Sequence, residues 1–551
     1  MRESKFFYPA LISIIWFVTY IACSFFLDYH FEWDECKYLA TARGIAENFD
    51  FGSRSTTVEG LLRYGFPQHT THYPLNSIYI ALFFKLLGPS LNVAYFSTWF
   101  SALITCIFLY LTLLIVTENR KFFSFLLAIS FLFFPSNIFN INSVMMEIPG
   151  CALVSFLVFL VFKSISEGKS NSFLLGIAGV WLYLYKSLFI GVIFGFIGLI
   201  FLSYNSKFMD IEIKKKPPLY LSLILYLAIF SILYFIFTKF VFLPLGPWLV
   251  FDQKQIDTGT YADMTGGFFN DVFGNLKLRI IAFIYTVVFH YYPFPVAFMP
   301  NDEALYVTSP PWVEFGVYFL TFFYVIVLSV MSWRKINPIQ RMFILFTLIS
   351  IITFNLILIV LTGGNVGPFS RYNLFYVPML VVSFGIILLT YFPYFKPFFL
   401  EHKKGSCFII LSLFVLIFIP IYYSAIVVMK WDDKFYYNHA NKNSNIIKKF
   451  INNSNPMFVY FTGGSHITWD SFPTREVFME ATNEKIKKIN SILPKPIEYL
   501  FLNPTNNLFK QNQDLILKFQ PIINNWYTFY GADPANQIVI YKLAGELNSK
   551  K

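Results

Sequence analysis

The chain has 551 residues, of which 56% are hydrophobic, 21% aromatic and only 13% charged, a composition outside the range of soluble globular proteins. We interpret it as an integral membrane protein. The formal net charge of +11 does not indicate a nucleic-acid partner, because Lys and Arg collect in short segments between apolar runs, as in cytoplasmic loops. The five cysteines show no paired spacing, which argues against a disulfide framework and a zinc site.

The first apolar run, residues 9–27, follows Arg2 and Lys5 and is not followed by a small-residue cleavage site. These features indicate a retained membrane helix rather than a removed signal peptide. Because basic residues favour the cytoplasmic side, the N-terminus is predicted to be cytoplasmic. The segment after residue 27 is therefore predicted to lie on the extracytoplasmic side.

Two neighbouring carboxylates, Asp34 and Glu35, follow this run. Apolar residues then recur at spacings of four, three and four, namely Tyr38, Ala42, Ile45 and Phe49. This period predicts a juxtamembrane helix over about residues 34–49, lying on the membrane surface through one apolar stripe. Two interpretations of the acids stay open: they cap the helix where its dipole is positive, or they are functional groups.

The other apolar runs, and the basic segments between them, predict about eleven membrane crossings in a polytopic α-helical protein. Residues 73–88 and 277–299 are predicted to be further juxtamembrane helices, and residues 173–202 a tight hairpin of two crossings. The remaining predicted crossings are residues 91–116, 122–140, 151–163, 219–242, 312–331, 342–361, 374–392 and 407–428. An odd number of crossings places the C-terminus outside the cytoplasm.

The composition changes after residue 430, where Asn, Lys and Asp become frequent and apolar runs become short. We therefore divide the chain into a membrane domain, residues 1–430, and a soluble extracytoplasmic domain, residues 431–551. Strands are predicted at residues 457–461, 497–502 and 537–543, with a helix at residues 483–493. These elements predict a small α/β module.

By this topology, ionisable residues from five segments share the extracytoplasmic face: Asp34, Glu35, His69, His72, Glu147, Lys186 and Arg371. Charged groups at a membrane edge are costly unless they pair or function, so this set predicts a polar cavity for an anionic ligand. Phosphate fits, because Lys and Arg neutralise it and a neutral histidine donates to it. Lys186 has a second interpretation, as an interfacial anchor whose aliphatic stem lies in the membrane.

Five short motifs occur in order along the chain. They are DExxY (Asp34, Glu35, Tyr38), YPL (Tyr73, Pro74, Leu75), a carboxylate before proline (Glu147, Pro149), a lysine in a later hairpin (Lys186) and RYxxxxxP (Arg371, Tyr372, Pro378). This series resembles the membrane glycosyltransferases of the GT-C fold. Within that group it is most similar to the bacterial and archaeal branch related to protein O-mannosyltransferases and lipid A aminoarabinose transferases. The resemblance covers about residues 1–392, and it rests on the order and shared side of motifs that are individually weak.

The resemblance implies transfer of a sugar from a polyprenyl-phosphate donor to a glycan, lipid or protein acceptor outside the cell membrane, with inversion at the anomeric carbon. Asp34 matches the family's catalytic acid and is the expected general base. Glu35 and Glu147 are the other catalytic candidates, Glu147 to orient the acceptor or to help hold a metal. The lipid phosphate leaves as a weak base and needs cations rather than a proton donor. The candidate donor-phosphate ligands are Lys37, His72, Lys186, Arg371 and Tyr372.

Two positions depart from the pattern, since Glu147 stands where relatives commonly have Asp and His72 where this branch often has Lys. We therefore expect rearranged donor contacts. A divalent metal ion is an open alternative for the cofactor, with Asp34, Glu147, His69 and His72 as its candidate ligands. The competing functional class is a transporter or flippase of a lipid-linked or anionic glycan, in which the charged residues line a path through the membrane. Membrane lipids are expected partners and nucleic acids are not.

Overall fold

The structure of the chain is a computed structural model. It describes residues 6–26, 33–50, 55–58, 61–62, 74–133, 137, 141, 143–144, 146–167, 172–185, 192, 195, 216–236, 333–362, 374–401, 449–451, 457–461, 475–478, 483–502, 526–534 and 538–544. The described residues form two compact units, each treated by itself. Those within 1–30, 95–238 and 251–431 form the helical unit, and those within 31–94, 239–250 and 432–551 form the sheet unit.

Among the described residues, helices predominate up to residue 401 and strands after residue 457. The helices in chain order are α1 (Phe7–Phe26), α2 (Trp33–Asn48), α3 (Pro74–Leu87), α4 (Leu91–Val116), α5 (Lys121–Phe133), α6 (Glu147–Glu167), α7 (Ser172–Tyr185), α8 (Lys216–Ile236), α9 (Pro338–Thr362), α10 (Val377–Glu401) and α11 (Asn483–Ile492). A 3₁₀ turn, Leu374–Tyr376, precedes α10. The strands are β1 (Ser55–Thr57), β2 (Phe458–Phe461), β3 (Arg475–Phe478), β4 (Tyr499–Leu502), β5 (Tyr527–Asp533) and β6 (Ile538–Leu543).

Three of the described helices, α1, α4 and α6, are long and apolar enough to cross a membrane. Helices also form the described parts of the predicted runs at residues 73–88, 219–242, 342–361 and 374–392. The runs at 277–299, 312–331 and 407–428 lie outside the described residues. The total of eleven crossings therefore stays a prediction, whereas the helical character of the described runs is confirmed.

The first helix shows how a membrane helix divides its surface. Tyr8, Ile12 and Trp16 follow one another at four-residue spacing and are buried against the helical unit. The indole Nε1 of Trp16 donates a hydrogen bond of 2.7 Å to the carbonyl oxygen of Trp99 in α4. The exposed side chains of α1 are all apolar, among them Ile14, Phe17, Val18, Ile21 and Phe25. Such a continuous apolar surface is stable only in contact with lipid or another protein.

Glycine allows two pairs of helices to approach closely. At Gly176 in α7, a Cβ atom would overlap the side chain of Ile229 in α8. At Gly385 in α10, a Cβ atom would overlap the side chain of Leu127 in α5. Small residues at helix contacts are typical of membrane proteins, where close backbone packing replaces the hydrophobic driving force between helices.

The sheet unit contains one sheet with the strand order β1-β3-β2-β4-β6-β5 in the described part of the chain. Strands β1, β3, β2 and β4 are parallel, and β6 is antiparallel to both β4 and β5. The edge strand β1 comes from the segment between α2 and α3, far from the other strands in sequence. Its pairing runs from Ser55 opposite Glu476 to Thr57 opposite Phe478. The sheet therefore joins the first predicted outer segment to the C-terminal part of the chain.

Both faces of the sheet are covered, as the alternation along β2 shows. Phe458 and Tyr460 point into a core under α11, whereas Val459 points into a second core on the opposite face. The residues beyond β1 contribute to the first core, since Val58 and Leu61 are both fully buried in it. The sequence boundary at residue 431 stays a prediction, but the described sheet unit includes residues on both sides of it.

A buried hydrogen-bond network fixes the start of β4 to α11 and β5. The Tyr527 hydroxyl donates to the carbonyl oxygen of Ile497 at 2.8 Å, and the Ile497 amide donates to Asn490 Oδ1 at 2.9 Å. Burial raises the pKa of Tyr527 to about 12, so the phenol stays a neutral donor at physiological pH.

The structure shows which strands and helices of the sheet unit local sequence patterns were sufficient to predict. The predicted strands at 457–461, 497–502 and 537–543 and the helix at 483–493 are confirmed by β2, β4, β6 and α11. The sequence did not indicate β1, β3 or β5, which lack a continuous apolar run. Phe49 differs from the predicted apolar stripe: it lies beyond the end of α2 with a φ of 53° and is 77% exposed.

The contribution of the first outer segment to the sheet unit is testable. Leu61→Ala should destabilise the sheet unit by about 2–5 kcal/mol, because it removes a fully buried side chain from the core. Limited proteolysis of the full-length protein should then cleave faster within residues 432–551. Phe529→Ala is the control, since Phe529 is exposed on β5. Equal cleavage rates in the wild type and Leu61→Ala would contradict the packing described.

Candidate functional site

The acidic pair lies in the first turn of α2. The helix begins at Trp33, so Asp34 is its second residue, Glu35 its third and Lys37 its fifth. The side chain of Glu35 is fully buried. A carboxylate in the first turn is favoured by the helix dipole, but the dipole does not require burial, and removing a charge from solvent has a cost that must be offset locally.

The helix α2 packs along α3 within the sheet unit. Buried residues of α2 extend beyond the predicted stripe, since Leu39 and Ala40 are buried together with Tyr38 and Ala42. At the C-terminal end of the pair, Lys85 Nζ in α3 donates to the carbonyl oxygen of Ala46 at 3.3 Å. Because the helices pack along their length and their C-terminal ends meet, their N-terminal turns also lie at one end of the pair.

Three polar side chains are buried in these N-terminal turns: Glu35 in α2, and Asn76 and Ser77 in α3. Buried polar groups of this kind are normally held by hydrogen bonds, which fix their orientation. The two helix N-termini also combine their positive dipole ends, a setting that favours an anion. The sequence indicated the YPL segment that opens α3 but not the burial of the Asn76–Ser77 pair immediately after it.

The second carboxylate, Glu147, begins α6 in the helical unit and is fully buried. The helix includes the following proline, Pro149, within its first turn, where the missing amide hydrogen has no intrahelical partner to lose. The turn closes with a hydrogen bond of 2.9 Å from the Gly150 amide to the Met146 carbonyl oxygen. Residues on both sides of Glu147 are also buried, among them Ser143, Val144 and Ile148.

The RYxxxxxP motif leads into a turn that packs against α6. The 3₁₀ turn Leu374–Tyr376, which begins two residues after Tyr372 in sequence, packs against α6, and its residues Phe375 and Tyr376 are buried. Pro378 of the motif is the second residue of α10. The helical unit thus brings together the elements that carry Glu147 and the end of the RYxxxxxP motif.

The predicted site residues fall into three groups. Glu35 and Glu147 are described with their side chains, and Asp34 and Lys37 are placed by the backbone of α2. Asp34 belongs to the sheet unit and Glu147 to the helical unit. The remaining candidates, His69, His72, Lys186, Arg371 and Tyr372, lie outside the described residues.

A metal centre can be tested only among residues whose positions are known. No group of three or more His, Cys, Asp or Glu side chains in the described ranges could hold a metal ion. Of the four candidate ligands, His69 and His72 lie outside those ranges.

Comparison with known proteins gives a match by structure only. No protein-family model matches the chain, and no curated protein matches it by sequence. A crystal structure of ArnT from Cupriavidus metallidurans bound to undecaprenyl phosphate matches with a TM-score of 0.53 and 11% identity, covering 100% of both chains. An oligosaccharyltransferase from Archaeoglobus fulgidus, in complex with Zn and sulfate, matches with a TM-score of 0.52 and 12% identity.

The chain has the fold of the GT-C membrane glycosyltransferases. It is a polytopic helical protein with a small sheet, as the sequence predicted. The match with ArnT extends over the whole length of both proteins. The match with the archaeal enzyme covers 86% of this chain but only 64% of that enzyme, so this chain spans less than two thirds of its length.

The buried polar end of the α2–α3 pair leads to a stability prediction. Asn76→Ala should destabilise this helix pair by about 1–3 kcal/mol, because it leaves a buried hydrogen-bond partner unsatisfied. The apparent melting temperature in detergent should fall. The matched variant Asn48→Ala, at the exposed end of α2, should leave that temperature unchanged. A fall of the same size in both variants would speak against the buried polar end.

Proposed function

We propose that this protein transfers a sugar from a polyprenyl-phosphate donor to an acceptor on the extracytoplasmic face of the membrane. The observation that supports this most strongly is the fold match over the full length of ArnT, whose matching structure holds undecaprenyl phosphate. Carboxylates at the starts of α2 and α6, as the motif order predicts, add to that support. A donor with a long lipid chain also suits a protein whose described helices expose apolar surface.

The proposed reaction is a single displacement. Asp34 accepts the proton of an acceptor hydroxyl or amine while that oxygen or nitrogen forms a bond to the anomeric carbon of the sugar. The bond between the anomeric carbon and the phosphate oxygen breaks, and its electron pair leaves with the polyprenyl phosphate. The anomeric configuration is inverted, and the proton remains on Asp34 until it is lost to solvent.

Charge on the departing phosphate requires cations and hydrogen-bond donors rather than a proton. We assign this role to Lys37, His72, Lys186, Arg371 and Tyr372. Lys37 follows Asp34 by three residues on α2, so the acid and the cation belong to one turn of one helix. The N-terminal dipoles of α2 and α3 act in the same direction, because both helices begin at one end of their pair.

The two buried glutamates receive positioning roles. Glu35 lies beside Asp34 in the sequence of α2, and its burial anchors the turn that carries the base. Glu147 is assigned to orient the acceptor. A divalent cation would be held by Asp34, Glu147, His69 and His72, and it would add positive charge at the leaving phosphate. Every step above is assigned to the protein's own residues.

Asp34→Asn tests the proposed base. The variant should transfer sugar about 10²–10⁴-fold more slowly, because the amide cannot accept the proton, and it should still bind polyprenyl phosphate. Cell-envelope glycans and lipids from a strain without the gene, complemented with each variant, should be compared by mass spectrometry. Asp50→Asn is the control, two residues beyond the end of α2. Full restoration of the modification by Asp34→Asn would rule out this base, and a defect only in movement of the lipid-linked sugar would favour a transporter.

The positioning role of Glu147 has a matched control on the same helix. Glu147→Gln should reduce transfer about 10²-fold through misplacement of the acceptor, with little change in donor binding. Glu167→Gln, at the other and exposed end of α6, should retain wild-type transfer. The measurement is the same complementation assay, together with the melting temperature of each purified variant. A Glu147→Gln protein that is unstable but transfers normally per folded molecule would assign Glu147 to stability alone.

A further inference from the structure

Charged and polar side chains form a second surface of the helical unit. It lies at the end of the helices where α4 is followed by α5. The described cations there outnumber the acids. The cations are Arg120, Lys121, Lys163, Arg334, Lys335 and Arg341, and the acids are Glu118 and Glu167. Rings of Phe162 in α6 and Phe343 in α9 contact each other with centroids 4.8 Å apart, so the C-terminal end of α6 and the N-terminal end of α9 lie at this same end. We call this set the basic collar.

The turn between α4 and α5 gives the basic collar a fixed shape. Glu118 and Asn119 both have left-handed backbones, with φ values of 55° and 66°. The turn is closed by a hydrogen bond from the Lys121 amide to the Asn119 carbonyl oxygen at 2.8 Å. The hydroxyl oxygens of Thr117 and Ser124 are 2.9 Å apart beneath it. Arg120 and Lys121 are therefore presented from an ordered turn.

The start of α9 is bonded to that turn. Asn337 and Gln340 cap each other, each side-chain oxygen accepting from the other residue's amide at 2.9 and 3.0 Å. Their side-chain nitrogens bind the end of α4 and the turn that follows it. Asn337 Nδ2 donates to Glu118 Oε1 at 2.8 Å, and Gln340 Nε2 donates to the Val116 carbonyl oxygen at 3.0 Å. The nearby acid Glu118 is thus held by an amide of α9.

Aromatic rings hold two cations of the basic collar. The guanidinium carbon of Arg341 lies 6.0 Å from the ring centre of Trp333, and Lys335 Nζ lies 5.4 Å from that of Tyr391. The Nε atom of Arg341 is buried and has no hydrogen-bond partner in the part of the chain that the structure describes. Arg341 is half-buried as a whole, so its guanidinium, oriented by Trp333, can offer its other N–H groups to an anion at the surface.

The position of the basic collar identifies the source of that anion. Lys121 is followed at once by Phe122, and then by Leu126 one turn later, and both apolar side chains are exposed. In a membrane protein such side chains face acyl chains, which places Lys121 at the level of the lipid headgroups. A soluble phosphate would not need this adjoining apolar surface, whereas a phospholipid uses both parts.

We propose that the basic collar binds the headgroup phosphate of an anionic phospholipid, with the acyl chains along the exposed face of α5. The collar lies on the predicted cytoplasmic side, where the anionic leaflet adds to the attraction. This binding is separate from the proposed sugar transfer and uses none of its residues. It would fix the end of the helical unit opposite the predicted catalytic face in the membrane.

The test is native mass spectrometry of the purified full-length protein in detergent, titrated with phosphatidylglycerol or phosphatidylcholine. The wild type should bind phosphatidylglycerol more tightly. The double variants Arg334→Gln with Lys335→Gln, and Arg120→Gln with Lys121→Gln, should each weaken that binding about 30-fold, because two surface cations are lost. Phosphatidylcholine binding should not change. The substituted residues are all exposed, so the variants should fold.

Lys487→Gln is the matched control, because Lys487 also lies over an indole ring, 5.3 Å from the ring centre of Trp526, but in the sheet unit. It should retain wild-type binding. Arg341→Lys keeps the charge but loses the planar donor, and should weaken phosphatidylglycerol binding. The proposal is overturned if both double variants retain wild-type affinity or if Lys487→Gln weakens binding as much as they do. Displacement of the lipid by millimolar inorganic phosphate would assign the collar to a soluble anion instead.

Discussion

Burial of charge at helix N-termini is the constraint on which the proposed site depends. Glu35 and Glu147 are both fully buried, and each lies in the first turn of a helix. A capping carboxylate works equally well in solvent, so helix stability alone does not explain why these two are enclosed. Enclosure raises the strength of every nearby electrostatic interaction, which is what a reaction that expels a lipid phosphate requires. The capping interpretation therefore does not by itself explain the burial of Glu35, and the functional role of the acidic pair stays a proposal.

The sheet unit shows that the C-terminal part of the chain is not an independent appendage. Its edge strand β1 and its core residues Val58 and Leu61 come from the segment that follows α2. The helix that carries Asp34 therefore belongs to the same compact unit as the sheet. An acceptor that binds the sheet would act on the unit that holds the proposed base. This arrangement offers a physical reason for the sheet to accompany the proposed membrane enzyme.

The sequence was sufficient where a local pattern decides the structure. Long apolar runs predicted the helices, and short apolar runs bounded by polar segments predicted β2, β4 and β6. The sequence was insufficient where residues far away in the chain determine the local structure. The Ser55–Thr57 segment forms a strand only because β3 supplies hydrogen bonds, and nothing in its three residues indicates that partner. The motif order proposed Asp34 and Glu147 as site residues, but the burial of Glu35, Asn76 and Glu147 depends on packing that the spacing of residues in the sequence does not show. The prediction for Phe49 was wrong for a local reason, because Phe49 itself has a left-handed backbone and lies beyond the last residue of α2.

The two ends of the helical unit differ in the exposure of their charged residues. At the start of α6 the carboxylate of Glu147 is fully buried, and at the end of that helix Lys163 and Glu167 belong to a surface rich in exposed cations. A membrane accepts exposed cations at the headgroup level at little cost, because long side chains reach the interface, whereas it accepts an enclosed carboxylate only where protein surrounds it. The exposed end is therefore suited to hold the protein in place, and the enclosed end to chemistry. The proposed polyprenyl-phosphate donor would require both, because its lipid chain stays in the bilayer while its phosphate must meet fixed charges at a fixed depth.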